Sequence, residues 1–186
     1  MDAVAAAFEA HPRPGFLPRR ERRRADYDGP LDIGHGQTNS QPRTVEAMLR
    51  LLEVRPGDRV LDVGSGSGWT TALLAHLTGP TGTVLGVELV PELVAFGSDN
   101  LARTGQPWAR IDQAAPGVLG RPDTAPYDRI LVSAEADDLP APLVAQLAPH
   151  GRLVIPVAGR MLLVVEDGRG QVEVTRHGAY RFVPLR

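Results

Sequence analysis

The stretch Val60-Leu61-Asp62-Val63-Gly64-Ser65-Gly66-Ser67-Gly68-Trp69 decides the fold of this chain. Its first four residues are typical of a buried strand, and the glycines that follow predict a tight turn into a helix. A strand, turn and helix in this order leave backbone N–H groups uncovered at the helix start, where a polar or anionic ligand can bind. The stretch therefore predicts a ligand site in an α/β fold.

Helices and strands alternate on both sides of this stretch. Hydrophobic spacing predicts a helix from Pro42 to the turn at 56–58, and further helices over 69–77, 91–103 and 140–147. Strands are predicted over 59–63, 83–88, 108–112, 128–133 and 152–156, followed by strand-like segments at 161–166, 171–175 and 180–183. The pattern predicts a doubly wound, mostly parallel Rossmann-like sheet with helices on both faces and an antiparallel C-terminal edge.

The length of 186 residues suits one domain over 1–186. We expect residues 1–41 to form an irregular N-terminal arm, with a short helix over 1–10 at most, and residues 42–186 to form the α/β core. Prolines and glycines interrupt any longer element in the arm. The basic run from Arg19 to Arg24 is interpreted as a solvated surface, with an acidic or nucleic-acid partner as the alternative.

Composition narrows the class of protein. Hydrophobic residues make up 42% and charged residues 23%, and the formal net charge is −2, so no basic excess points to nucleic acid. The absence of cysteine excludes disulfides, thiolate catalysis and Cys-ligated zinc. No apolar run is long enough for a membrane span, and residues 1–11 do not resemble a secretory signal. We expect a cytoplasmic, monomeric enzyme without metal, nucleic-acid or membrane partners.

The glycine turn and Glu88 together predict a nucleotide-like cofactor. Glu88 ends the next strand, 24 residues after Gly64, which is the usual reach for a carboxylate that binds ribose hydroxyls. A dinucleotide fingerprint requires its third glycine where Trp69 stands, so the turn favours S-adenosylmethionine. The alternatives are a helix cap for Asp62 and a solvated strand end for Glu88. The predicted cofactor-binding residues are Asp62, Gly64, Ser65, Gly66, Gly68, Glu88 and Leu89.

A second motif is Ile33-Gly34-His35-Gly36-Gln37-Thr38-Asn39-Ser40-Gln41-Pro42. It resembles the signature loop of protein-L-isoaspartate O-methyltransferases, whose usual form is close to I-G-x-G-Q-T-I-S-Q-P. The resemblance extends over almost the whole chain, through segments 12–18, 125–130, 151–157 and 181–185. It implies transfer of a methyl group from S-adenosylmethionine to the α-carboxylate of L-isoaspartyl residues in damaged proteins or peptides.

The resemblance also implies roles for residues of this loop. Ser40 would be the catalytic residue that holds the substrate carboxylate, and an N-cap of the helix from Pro42 is its structural alternative. A carboxylate is already ionised at neutral pH, so no general base is needed. Arg160 falls near a glutamine that closes over substrate in the family, and is either a carboxylate ligand or a plain surface residue. The predicted substrate-binding residues are Gln37, Thr38, Asn39 and Arg160.

Two departures from the family pattern keep other functions open. Asn39 stands where the family has an apolar residue, and Ala115-Pro116-Gly117 replaces a G-D-G element whose acid lies near adenine. One alternative is a divergent carboxyl methyltransferase that acts on another peptide or small-molecule carboxylate. The other is an S-adenosylmethionine-binding module without transfer activity.

Overall fold

The computed structural model describes residues 2–186 and is organised around one large sheet. The helices are α1 (Ala3–Ala10), α2 (Pro42–Leu52), α3 (Trp69–Thr78), α4 (Pro91–Ala102) and α5 (Ala141–Val144). The strands are β1 (Leu31–Gly34), β2 (Gln37–Asn39), β3 (Arg59–Val63), β4 (Thr83–Glu88), β5 (Ala109–Gln113), β6 (Tyr127–Val132), β7 (Leu147–Val157), β8 (Arg160–Glu166) and β9 (Val172–Ala179). Short 3₁₀ turns cover Arg13–Phe16, Arg22–Arg24 and Pro122–Thr124. None of the helices within residues 2–186 combines the length and apolar character needed to cross a membrane.

The large sheet has the strand order β5-β4-β3-β6-β7-β8-β9. The first five strands in this order, from β5 at the edge to β7, are parallel to one another. Strand β8 runs antiparallel to both of its neighbours, β7 and β9. The predicted fold class is thereby confirmed. The chain winds outward from β3 first through β4 and then through β6, so β3 marks the point where strand order reverses. Doubly wound sheets bind ligands at the carboxyl ends of the strands at this point.

The two faces of the sheet carry separate apolar clusters, and β3 contributes to both. Val60 packs into the cluster that contains Leu73 of α3 and Leu49 of α2. Leu61 and Val63 pack into the cluster on the opposite face. Because side chains alternate along a strand, the intervening Asp62 points to the same face as Val60, towards α3. This alternation determines where the carboxylate of Asp62 lies.

The predicted irregular arm contains a hairpin that the sequence did not reveal. Strands β1 and β2 pair antiparallel and bring Leu31 opposite Asn39. Their turn runs through Gly34, His35 and Gly36, all of which have positive φ. Strands of three and four residues are too short for period-two hydrophobicity to register. The helix expected over 1–10 begins at Ala3, and Met1 lies outside the described residues.

Two predictions near the C-terminus are wrong. The segment 180–183 is not a strand: beyond β9 there is an isolated bridge between Glu135 and Pro184, and the Glu135 carboxylate accepts from the Phe182 N–H. The segment therefore crosses to the loop after β6 and does not continue the sheet. The helix predicted over 140–147 is the single turn α5, because β7 begins at Leu147.

The glycine turn after β3 packs directly on the backbone of α4. A Cβ atom placed on Gly68 would lie 2.7 Å from the carbonyl oxygen of Gly97, and one placed on Gly97 would lie 2.7 Å from the carbonyl oxygen of Gly66. Gly68 also has φ of +81°. Glycine at both positions therefore sets the distance between the turn and the helix.

We predict that Gly97→Ala destabilises the protein by about 1–3 kcal/mol, because the added methyl group overlaps a backbone oxygen that no rotamer change can move. Urea unfolding measures the change. Gly15→Ala is the matched control, since a Cβ there meets nothing within 4 Å and the effect should stay within about 0.5 kcal/mol. A Gly97→Ala protein as stable as the control would contradict the prediction.

Candidate active site

A cavity of about 280 Å³ lies beyond the carboxyl ends of β3, β4 and β6. The glycine turn lines one side, and the end of the β1–β2 hairpin lines another. The predicted site residues that line it are Gln37, Thr38, Asn39, Ser40, Gly64, Ser65, Gly66, Glu88 and Leu89. The structure thus brings the two sequence motifs together in one cavity, although Ser40 and Gly64 lie 24 positions apart along the chain.

Four backbone N–H groups of the glycine turn are already used within the protein, which the sequence did not predict. The N–H groups of Gly64 and Ser65 both donate to the carbonyl of Val87, and that of Gly68 donates to Ser65. The Gly66 N–H donates to the Glu88 carboxylate. A phosphate needs such N–H groups for itself, so this turn suits a ligand without a pyrophosphate.

Glu88 is buried and joins the turn to the start of α4. One carboxylate oxygen accepts from the Gly66 N–H at 3.0 Å, and the other accepts from the Val90 N–H at 2.9 Å. Only 7% of the residue is exposed, so the alternative of a solvated strand end is wrong. A carboxylate has about four acceptor positions, so Glu88 can still accept from the hydroxyl groups of a ribose.

Asp62 lies beneath the turn and does not line the cavity. It is fully buried, and its Oδ2 accepts from the hydroxyls of Thr70 at 2.8 Å and Thr71 at 2.7 Å. Burial raises the pKa of Asp62 to about 6, against the opposing effect of the two hydroxyls. Asp62, which the sequence places among the cofactor-binding residues, does not face the cavity because β3 turns its side chain towards α3. The alternative of a helix cap also fails, since the N-cap of α3 is Gly68.

Two buried hydroxyl groups in the cavity wall lack hydrogen-bond partners. The Oγ atoms of Ser65 and Ser133 make no hydrogen bond to any part of residues 2–186. Buried polar atoms are normally paired, so these hydroxyls fit a ligand that brings polar groups of its own. Sequence reasoning missed Ser133. Its position directly after β6, the strand next to β3, was the available signal.

The chain after β5 supplies an apolar wall. Ala114, Val118 and Leu119 line the cavity, whereas Asp112 lies outside it and pairs with Arg121 at 2.6 Å. The segment 115–117 contributes no acid, as the sequence indicated. A flat, apolar group such as a nucleobase fits this wall through contact area rather than through a carboxylate.

Ser40 faces the cavity and does not cap the following helix. The N-cap of α2 is Gln41, and the Arg43 N–H in the first turn donates to the carboxylate of Asp28. The N-cap interpretation of Ser40 is therefore wrong. Another loop serves the helix terminus, and the Ser40 side chain is available at the cavity.

Arg13 holds the loop that carries Ser40, and sequence reasoning assigned it no role. Its Nε donates to Oδ1 of Asn39 at 2.6 Å, and one terminal nitrogen donates to the carbonyls of Asn39, Ser40 and Gly29. The other terminal nitrogen donates to the carbonyls of Tyr27 and Ala25. Burial lowers the pKa of Arg13 to about 10, so the guanidinium remains cationic at neutral pH.

Besides Asp62, two predicted site residues do not line the cavity. Gly68 lies against α4, as described above. Arg160 lies in a separate depression beside Asp137, Asp138 and Arg176. The cause is the tight turn Ala158–Gly159, which pairs Arg160 directly with Val157 at the start of β8. The structure therefore does not bring Arg160 to the cavity, and residues 183–186 line that side instead.

Comparison with known proteins identifies the family. A family model described as protein-L-isoaspartate(D-aspartate) O-methyltransferase matches residues 1–186. The chain belongs to this O-methyltransferase family. A protein-L-isoaspartate O-methyltransferase from Methanopyrus kandleri is 46% identical over 186 residues, covering 98% of this chain and 82% of that protein. One from Methanocella arvoryzae is 45% identical over 176 residues, covering 94% and 93%.

The fold of the chain is also similar to that of a solved structure. The crystal structure of a protein-L-isoaspartate O-methyltransferase homologue from Plasmodium falciparum, in complex with S-adenosyl-L-homocysteine, superposes with a TM-score of 0.88. It is 28% identical, and the match covers 100% of this chain and 91% of that one. Membership of the protein-L-isoaspartate O-methyltransferase family confirms the predicted family and the predicted class of enzyme, a protein carboxyl O-methyltransferase.

For this methyltransferase, Asp62 predicts a specific pH dependence of stability. Its folded pKa of about 6 exceeds the ordinary aspartate pKa of 3.8, so the folded state binds more protons between these values. The contribution of Asp62 therefore becomes less favourable as pH rises from about 4 to 6, by up to about 3 kcal/mol. Asp62→Asn cannot ionise and escapes this loss.

The free energy of unfolding of Asp62→Asn minus that of the wild type should therefore rise with pH over this window and level off above it. Urea unfolding without cofactor at pH 4.5, 6 and 7.5 measures the difference. A difference that stays constant with pH, or that falls, would contradict the burial effect.

Proposed function

We propose that this protein transfers the methyl group of S-adenosylmethionine to the α-carboxylate of L-isoaspartyl residues in damaged proteins or peptides. One observation carries the proposal: the loop that ends at Ser40 and the glycine turn face the same cavity. The family membership and the Plasmodium falciparum structure with its bound S-adenosyl-L-homocysteine support the same assignment.

The residues around the turn fit the cofactor. Glu88 would accept from the ribose hydroxyls, and the apolar wall at Val118 and Leu119 would contact the adenine. The unpartnered hydroxyls of Ser65 and Ser133 supply further polar contacts. Asp62 would act from beneath the turn, because its Oδ1 is buried and has no partner within residues 2–186. A negative charge there favours the amino group and the sulfonium of the cofactor.

The chemistry requires positioning more than proton transfer. Bound S-adenosylmethionine supplies a methyl group on a positively charged sulfur. An oxygen lone pair of the substrate carboxylate forms the new C–O bond while the C–S bond breaks and its electron pair stays on sulfur. No proton moves, because the carboxylate is ionised at neutral pH. Correct placement of two reactants can contribute about 7–11 kcal/mol to lowering the barrier.

Ser40 is the residue best placed to hold the carboxylate. Its side chain lines the cavity and is not used as a helix cap, so its hydroxyl can donate to one carboxylate oxygen. The other oxygen then points towards the methyl group. Thr38 lines the cavity beside it and offers a second hydroxyl to the substrate.

Four further properties are proposals from the sequence. We infer that residues 1–186 work as one domain, that the protein is a monomer, that it acts in the cytoplasm, and that it requires no metal or nucleic acid. Within residues 2–186, no group of three or more His, Asp or Glu side chains has the arrangement of a metal site. Sedimentation equilibrium tests the monomer directly.

A radiolabelled methyl-transfer assay tests the proposed function. We expect label to pass from S-adenosylmethionine to an isoaspartyl peptide and not to its aspartyl twin. Ser40→Ala should lower kcat/KM for the isoaspartyl peptide by about 10- to 100-fold, since a hydrogen bond to a charged group contributes about 1.5–3 kcal/mol. Ser98→Ala on α4, outside the cavity, is the control and should leave kcat/KM unchanged.

Three outcomes would contradict parts of this proposal. Absence of label on both peptides, with S-adenosyl-L-homocysteine binding intact by calorimetry, would exclude the repair activity. Equal labelling of both peptides would exclude isoaspartyl specificity. A Ser40→Ala protein with the turnover of the control would remove Ser40 from the mechanism.

A further inference from the structure

A chain of buried hydrogen bonds joins the substrate side of the cavity to the cofactor side. Arg13 Nε donates to Asn39 Oδ1 at 2.6 Å, and Asn39 Nδ2 donates to the Ser67 hydroxyl at 3.0 Å. The carbonyl of Ser67 in turn accepts from Asn100 Nδ2 of α4 at 3.0 Å. Exposure is 5% for Arg13, 4% for Asn39, 3% for Ser67 and 3% for Asn100, so water does not compete for these bonds.

The orientation of the Asn39 amide follows from chemistry alone. A guanidinium only donates, so the atom of Asn39 that faces Arg13 must be the carbonyl oxygen. The NH₂ group then faces Ser67, whose hydroxyl can accept. An apolar residue at this position could make neither bond, and the buried Nε–H of Arg13 would lose its partner. The asparagine thus matches both neighbours at once.

Asn39 lies between Ser40 and the glycine turn, so its hydrogen bonds bear on the geometry of the proposed methyl transfer. Asn39 directly precedes Ser40, and Arg13 holds the backbone carbonyls of both residues at 3.1 and 3.0 Å. Ser67 belongs to the glycine turn and also lines the cavity. The Asn39 side chain therefore fixes the distance between the serine that would hold the substrate and the turn that would hold the methyl donor.

We propose that Asn39 is a positioning residue that sets Ser40 in register with the glycine turn through its bonds to Arg13 and Ser67. The proposal rests on the proposed methyl transfer. Because a misplacement of about 1 Å can reduce a rate by 100-fold, loss of this bridge affects turnover even though Asn39 need not touch the reacting atoms. Cofactor affinity, which depends on Glu88 and the turn, is affected much less.

Two substitutions at the same position separate positioning from folding. Asn39→Leu keeps the number of side-chain heavy atoms and the branching at Cγ, and it removes both bonds. Asn39→Asp keeps them, because its carboxylate accepts from Arg13 Nε and from the Ser67 hydroxyl. Gln106→Leu is the matched control, since Gln106 is another buried amide and bonds the carbonyl of Ala72 away from the cavity. Urea unfolding shows the stability loss in each protein.

We expect Asn39→Leu to lower kcat/KM for the isoaspartyl peptide by about 10- to 100-fold, with the Kd of S-adenosyl-L-homocysteine within about threefold of wild type. Asn39→Asp should stay within about threefold in both quantities. Gln106→Leu should lose stability and keep both. Asn39→Leu with wild-type kcat/KM, or a loss in Asn39→Asp as large as in Asn39→Leu, would overturn the proposal.

Amide hydrogen exchange gives a second measurement that needs no turnover. S-adenosyl-L-homocysteine should slow exchange over residues 31–41 in the wild type and in Asn39→Asp, and should slow it much less in Asn39→Leu. Equal slowing of amide exchange in all three proteins would contradict the proposed role of Asn39 as a bridge. If the wild type transfers no methyl group to the peptide, the proposed function fails, and the exchange measurement still decides whether Asn39 connects the two loops.

Discussion

The buried guanidinium of Arg13 is the interaction on which the arrangement of the cavity depends. Among residues 2–186 no carboxylate lies within hydrogen-bonding distance of it, and its donors go to five backbone carbonyls and one side-chain amide. Its carbon Cζ also lies 5.7 Å from the ring centre of Trp69. Burial of a charge is costly unless its hydrogen bonds are made, so the surrounding chain must keep these carbonyls in place. The arm at 13–29 and the loop at 39–40 are thereby fastened to each other.

Trp69, which lies beside the Arg13 guanidinium, links the arm to the sheet. Trp69 begins α3 directly after the glycine turn, and its Nε1 donates to the carbonyl of His11 at 2.9 Å. Its ring and that of Phe8 in α1 form a T-shaped pair, with ring centres 5.4 Å apart. The residue that replaces the third glycine of a dinucleotide fingerprint thus anchors the arm that forms the opposite wall of the cavity. Trp69 therefore attaches the arm to the helix that follows the glycine turn.

The central sheet could be predicted because its signals are local. The mostly apolar segment Val60 to Val63 and the glycines after it define β3, the turn and α3 without reference to any distant residue. The partners of Arg13 could not be predicted, because backbone carbonyls carry no sequence signature. Arg160 was expected at the substrate because it falls near a glutamine of the family pattern, whereas the two-residue turn before it places it at the start of β8. The burial of Asp62 was not predicted, because the alternation of side chains along β3 was not applied to a charged residue.

Glu88 carries a consequence for how a cofactor would bind. Both of its oxygens are already fixed by N–H groups, one from the turn and one from the residue before α4. The carboxylate consequently has little rotational freedom to lose when a ribose arrives, and the acceptor geometry exists beforehand. Such preorganisation keeps the entropic cost of association low. Selectivity between ligands then depends on how well their hydroxyl groups fit the fixed positions of the Glu88 oxygens. A ligand whose hydroxyls are displaced by one bond would find no adaptable partner at this position.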